Sequence, residues 1–347
     1  MGENKPKRKN FKVLLLIPIA LLMLGFGYVA YGQKNIENDF SEGVSEDEDI
    51  EAYSFSISPI PDDEVNRYVG SKRNLELDAQ LKAKGIILYD LTDEKIMYSK
   101  NTTVRMAPAS LTKIMTAILV LEAEDELGTV LEYKKYMGDE ILNYGYSLSE
   151  IAAYEYKDGE TMTVKDALHV LMMRSANDTA NLLAEHYGEG SLENFVAMMN
   201  KRAEELGCTE TNFSNAHGLD DENLYTTPQD MFIIFKHAIG LPGFLEIVGT
   251  VDYELSANNV FEARKIENVL GILNPKYPQY YYKNIVGAKS GYTDAAGKCL
   301  LTICKKDNKE YLMVLMGVPL RDENGDKYPA GFFYEETVYL HEWFLNK

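Results

Sequence analysis

The order of its hydrophobic patterns marks this chain as an α/β protein of the α+β type, an antiparallel sheet with helices and a helical lobe beside it. Three observations predict that class. Two short apolar runs flank Thr92-Asp93-Glu94 and open the patterned region. Helical spacing of apolar residues then dominates from about 133 to 237. Strand-like runs return after residue 285. Strands at the two ends of a segment can share one sheet, and the helices between them then form a lobe.

The chain ahead of this pattern is of another kind. Lys5, Lys7, Arg8, Lys9 and Lys12 precede an uncharged run from Val13 to Tyr31. Roughly 19 apolar residues suffice to span the hydrocarbon core as a helix, and a basic flank stays cytoplasmic. Residues 1–12 are therefore expected to be a cytoplasmic basic segment. Residues 13–32 are expected to be a transmembrane signal-anchor, or a signal peptide cleaved near Ala30-Tyr31-Gly32. On either reading the remainder lies outside the cytoplasm. Residues 33–76 are acidic, most densely at Glu46-Asp47-Glu48-Asp49, and predict a disordered linker, because too little apolar surface is present to offset ordering. One folded domain is expected over 77–347.

Within it, 83–91 predicts a strand and 95–99 its hairpin partner. Met106-Ala107-Pro108-Ala109 leads into a predicted helix from Ser110 to about Glu124, since proline suits a helix start. Amphipathic spacing predicts helices over 164–173, 178–187 and 192–206. Strands are expected over 285–290, 298–304 and 311–318, and a closing helix over 332–345. Glu335-Glu336 and His341-Glu342-Trp343 give that last helix a polar side, so its other side should pack on the sheet.

Composition excludes several functions. The 347 residues are 46% apolar, enough for a sizeable core, and carry a net charge of -19. Nucleic-acid binding needs clustered Lys and Arg, so none is expected. Cys208, Cys299 and Cys304 cannot build a disulfide framework. The offset of five between the last two puts them on opposite faces of a strand, both as buried thiols. Neither metal-ligand spacing nor H-E-x-x-H occurs, and neither a metal nor any other cofactor is expected.

Three short motifs carry the chemistry. Ser110-Leu111-Thr112-Lys113 is the one S-x-x-K in the chain. On a helix the offset of three sets both side chains on one face. A serine needs a base to attack a carbonyl, and a lysine can serve if burial or a second cation lowers its pKa. Alone, the pair is equally a capping serine and a surface lysine. Ser175-Ala176-Asn177 lies at the junction of two predicted helices, where a tight corner can push polar side chains into a cleft. S-x-N recurs at Ser99 and Ser256, and Ser175, Asn177 and Asp178 are also ordinary helix caps. Lys289-Ser290-Gly291 falls at the end of a predicted strand, followed by Tyr292-Thr293. Lys and Ser can hold a carboxylate, and Gly lets another backbone approach.

Taken together, in this order and on these element types, the three motifs form the set of serine penicillin-binding proteins and serine β-lactamases. The chain from about Leu77 to Val318 resembles the low-molecular-mass D-Ala-D-Ala carboxypeptidases. PASLTKIMTA around Ser110, RSANDTANLLAEH around Ser175, NFSNAHGLDDENLYTTPQD from Asn212 and VGAKSGYTDAAGKCL around Lys289 extend the resemblance. It implies a five-stranded antiparallel sheet flanked by helices, plus a helical lobe. It implies a peptidoglycan stem peptide ending in D-Ala-D-Ala as substrate and β-lactams as covalent inhibitors. It implies roles as well. Ser110 would be the nucleophile, Lys113 its base and Ser175 a proton relay to the leaving nitrogen. Asn177 would bind the substrate amide, and Lys289 and Ser290 the terminal carboxylate. The N–H groups of Ser110 and Tyr292, the residue after Gly291, would form an oxyanion hole. Lys289 near Lys113 would help keep the base neutral.

Two departures stand out. Ser290 replaces the family's usual threonine, although the hydroxyl is kept. Many relatives carry a further β-rich domain, for which the roughly thirty residues after Val318 are too few. A class A β-lactamase would need a glutamate four residues before an asparagine, a spacing that Glu210 and Asn215 do not have. A D,D-endopeptidase acting on cross-links uses the same chemistry, and a catalytically silent wall- or β-lactam-binding protein is the alternative from another class. A Ser-His-Asp hydrolase with His217 as base lacks G-x-S-x-G. His217 sits in a turn, and the other histidines fall on predicted helices.

Overall fold

The structure is a computed structural model and describes residues 77, 80–124, 126–145 and 153–345. The expected basic segment, membrane span and acidic linker lie outside the described residues. Among those described, no helix is long and apolar enough to cross a membrane.

Five strands form one antiparallel sheet: β1 (Gly85–Asp90), β2 (Lys95–Lys100), β7 (Ile285–Thr293), β8 (Gly297–Lys306) and β9 (Lys309–Val318), in the order β2-β1-β9-β8-β7. The early hairpin joins the late strands through β1 and β9, with Gly85 opposite Met316 and Asp90 opposite Tyr311. Alternate residues point to opposite faces. Ile87, Leu301, Ile303 and Val314 belong to one core, Ile86, Leu88, Leu300 and Leu315 to the other. Cys299 and Cys304 divide in the same way, and all three thiols are buried and free. Both faces are covered, so these strands read as nearly continuous apolar runs.

The first core is filled by α1 (Lys113–Ala123), whose residues from Lys113 to Val120 are all buried. A helix apolar on every side belongs inside a protein. Around it stand α2 (Tyr136–Ile141), α3 (Val164–Met173), α4 (Asn177–Tyr187) and α5 (Leu192–Glu205). Helix α6 (Pro228–Ile239) starts with Pro228 after Thr227, whose hydroxyl accepts from Asp230 N at 3.1 Å. It packs on β1 and β9, with Phe232 4.8 Å from Tyr89 between ring centres. The stretch 133–237 thus does not form one lobe, because its last helix is apolar enough to cover the sheet.

Short elements complete the chain: β3 (Val130–Glu132) with β4 (Thr161–Thr163), α7 (Phe244–Gly249), and the hairpin β5 (Asp252–Leu255) and β6 (Arg264–Glu267). Strands of three or four residues and helices of six carry too little periodicity to be predicted. The closing helix α8 (Phe332–Leu345) packs on the second face as expected, but its polar side is not where the sequence suggests. Glu336 and His341 are buried. The Glu336 carboxylate accepts the backbone N–H groups of Lys82 and Ala83, and His341 Nε2 lies 3.3 Å from Thr302 Oγ1. Partners distant in sequence, not solvent, meet Glu336 Oε1 and His341 Nε2, while Glu336 Oε2 and His341 Nδ1 are buried without a hydrogen-bond partner.

Candidate active site

The first motif is built on a distorted turn. Ala109 has left-handed backbone, φ 49°. Residues Ala109–Thr112 then form a 3-10 turn, and the α-helix begins only at Lys113, three residues later than the pattern predicts. Gly218, φ 91°, lies against this turn, where any side chain would collide with the Ala109 carbonyl oxygen. Only glycine allows that approach. Ser110 is left partly exposed while Lys113 is fully buried.

Lys113 Nζ contacts Ser110 Oγ at 3.0 Å, Asn177 Oδ1 at 2.6 Å and the His217 carbonyl oxygen at 2.5 Å. The last two are acceptors only, so they use two N–H groups. The third partner, a hydroxyl, can accept or donate. A neutral lysine would therefore turn its lone pair to the Ser110 hydroxyl. Burial favours that state and holds Lys113 well below its usual 10.5. The positive charge of Lys289 lowers it further, and Asp178 opposes both.

The second motif is a corner. Ser175 is left-handed, φ 57°, Ala176 is the N-cap, and Asn177 opens α4. Neither the Ser175 nor the Asn177 side chain caps this helix, so both are free to face the cleft. The third motif lies inside β7, not at its end, because the strand runs on through Tyr292 and Thr293 paired with Lys298 and Gly297. Lys289 is buried, donates to Ser175 Oγ at 2.8 Å and to the Ser290 carbonyl at 2.7 Å, and is drawn down to about 7 by burial. Gly291 brings the strand against the first motif. A Cβ there would sit 3.1 Å from Ser110 N and 3.0 Å from the Pro108 carbonyl. Tyr292 follows, an exposed residue whose hydroxyl donates to Asp294 at 2.6 Å.

Ser110, Lys113 and Asn177 are thus joined by direct contacts, as are Ser175 and Lys289, Gly291 lies against Ser110, and Ser290 offers its carbonyl to Lys289. The sequence reading missed the part played by residues 215–220. Asn215 Oδ1 accepts from His217 N and Gly218 N, shaping a turn that presents the His217 carbonyl to Lys113. Asp220 accepts from Thr293 and ties that turn to β7. The His217 ring itself is fully buried, its Nδ1 accepting from Leu219 N. The basic group bonded to Ser110 is Lys113, which disfavours a Ser-His-Asp arrangement. Glycine after histidine in NAHG was the signal for the turn. The use of a backbone oxygen leaves no trace in side-chain identity.

Residues 72–319 match the sequence profile of D-alanyl-D-alanine carboxypeptidases. The chain belongs to that family. Among curated members it is 34% identical to D-alanyl-D-alanine carboxypeptidase DacF of Bacillus subtilis, over 71% of this chain and 59% of the relative. It is 32% identical to DacA of Haemophilus influenzae, over 69% and 58%. The chain thus spans less than two thirds of the length of these carboxypeptidases. Among solved structures, D-alanyl-D-alanine carboxypeptidase from Mycobacterium tuberculosis superposes with a TM-score of 0.64 at 25% identity, covering 77% of this chain and 92% of that one. The Streptomyces K15 DD-transpeptidase gives 0.66 at 22% identity, covering 77% and 98%, and shares the fold. The family's five-stranded antiparallel sheet with flanking helices is the fold seen here.

Proposed function

We propose that this chain is a serine-type D-Ala-D-Ala carboxypeptidase, removing the terminal D-alanine of peptidoglycan stem peptides through an acyl-enzyme on Ser110. The observation that carries the reading is the 3.0 Å contact of Ser110 Oγ with a fully buried lysine, whose proton affinity is lowered by that burial and then by a second lysine. Family membership supports it.

Lys113 takes the hydroxyl proton as Ser110 Oγ attacks the carbonyl carbon of the penultimate D-alanine. The N–H groups of Ser110 and Tyr292 receive the oxyanion, a contribution of about 3 kcal/mol per donor. Asn177, whose Oδ1 is held by Lys113, offers its Nδ2 to the substrate amide. Ser175, bonded to Lys289, passes a proton to the departing nitrogen. Lys289 and Ser290 hold the terminal carboxylate. Strand β7 is the sheet edge, so an extended peptide can lie along it. Water then cleaves the ester. A β-lactam acylates Ser110 by the same first half and inhibits.

The basic cluster before Val13–Tyr31 supports a single-pass N-terminal anchor with an extracytoplasmic domain, or secretion if the segment is cleaved. The mass of the mature N-terminus distinguishes the two.

The test of activity uses the full chain and Ser110→Ala with a peptide ending in Lys-D-Ala-D-Ala, and with penicillin followed by intact mass. D-alanine release and a penicillin adduct, both confined to the Ser110 form, are expected. An adduct without release would point to cross-linked substrate or a sensor. Neither, in folded protein, overturns the proposal.

A further inference from the structure

Asp178 follows Asn177 in the first turn of α4 and has no part in the steps above. It is buried, yet its carboxylate accepts backbone N–H groups from two segments. Tyr154 N lies 2.9 Å from each oxygen, Glu155 N 2.9 Å from Oδ2 and Thr179 N 2.8 Å from Oδ1. Glu155 is left-handed, φ 63°. For such a residue that conformation persists only where its surroundings impose it. The same segment has an outer tie. Glu160, fully buried, accepts from Lys157 N, from Asn258 and from Arg264 of β6, whose guanidinium lies 5.1 Å from the Tyr154 ring centre. The hairpin β5–β6 thus holds one side of residues 154–160, and Asp178 holds the side toward Lys113.

We propose that Asp178 is a positioning residue: it clamps the Tyr154-Glu155 backbone to the first turn of α4, keeps Asn177 on Lys113, and tunes the proton affinity of Lys113 by its charge. This rests on the function proposed above. The charged groups acting on Lys113 are Lys289 from β7 and Asp178 from α4, and Lys113 in turn acts on the buried His217 of the 215–220 turn. Those near Asp178 are Lys113, Tyr133 and Tyr156. Burial raises Asp178 to about 6, so at neutral pH it is a carboxylate and favours the Lys113 ammonium. That opposes Lys289 and keeps the base from becoming too weak.

Asp178→Asn keeps the shape, but its amide nitrogen must face N–H donors, and the charge is gone. Asp178→Glu keeps the charge and misplaces it. Penicillin acylation followed against pH, with hydrogen exchange at Tyr154 and Glu155, separates the two roles. For Asp178→Asn the acylation rate is expected to fall on the order of 10–100-fold. Its acid limb moves to lower pH, because Lys113 loses its proton more readily, and Tyr154 and Glu155 lose protection. For Asp178→Glu the rate falls but the limb stays. Equal losses in both variants with no limb shift would overturn the proposal, as would unchanged rate and protection in Asp178→Asn. If the unmodified protein is not acylated at Ser110, the proposed function fails, while exchange at Tyr154 and Glu155 still decides the clamp.

Discussion

Each face of the central sheet buries ionisable side chains, and the two faces use them differently. Under α8, Glu336 accepts two backbone N–H groups and His341 sits beside a threonine hydroxyl. Those groups tie distant parts of the chain together. On the other face, Lys113 and Lys289 are two buried lysines, each bonded to a serine hydroxyl, and burial and then the charge of Lys289 lower the proton affinity of Lys113. Like charges brought together in a core oppose folding. Burial of a titratable group is therefore a poor guide to chemistry. The useful mark is a repelling pair, each member facing a nucleophile or a proton carrier.

The largest effect should come from removing the titration while keeping the charge. Lys113→Arg leaves a group that does not deprotonate, so Ser110 loses its base. Penicillin acylation should fall by about 10³-fold, measured by intact mass over time. Retained acylation would show that Lys113 is only structural.

Lys289→Ala should sharpen the contrast in two ways. Loss of a charge-assisted hydrogen bond to the substrate carboxylate should lower kcat/KM about 10–100-fold. The acid limb should also move to higher pH. Lys289 holds Lys113 down, so without it Lys113 keeps its proton longer.

On the second face the readout is stability. The folded chain holds His341 neutral, pushed down to about 3 from an ordinary 6.5, by burial. The unfolded chain takes up that proton first as pH falls. Stability should therefore decline as pH drops from about 6.5 toward 3. His341→Asn should flatten the slope of Tm against pH in that window and leave activity per folded molecule unchanged. An unchanged slope would remove His341 from the account.

The smallest effect is expected for Ser290→Thr. Both side chains keep the hydroxyl, so kcat/KM should change by less than the roughly fivefold that a lost hydrogen bond of about 1 kcal/mol costs. A larger change would mean that the departure from the usual family residue tunes substrate choice.

The sheet was legible because alternation is a local property. The runs at 85–90, 297–306 and 309–318 announce themselves, and the order of patterns places them in one sheet. The motif residues were legible by type and spacing. What could not be read was the backbone that joins them. Ala109 and Ser175 adopt left-handed conformations that neither residue suggests, just ahead of the two helices, and the first helix starts only at Lys113 while the second opens already at Asn177. The His217 carbonyl and the Asp178 clamp depend on partners 104 and 24 residues away. Glu336 and His341 looked like a solvated face for the same reason, since their partners are far off in sequence.

Burial, and then the charge of Lys289, hold Lys113 well below its ordinary 10.5, and this is what readies it to take the Ser110 proton. The most direct measurement is a nuclear magnetic resonance titration of Lys113 in protein labelled at lysine Cε, alone and in Lys289→Ala. A midpoint far below the ordinary 10.5, moving upward in Lys289→Ala, is the predicted result. A midpoint near 10.5, indifferent to Lys289, would contradict the account.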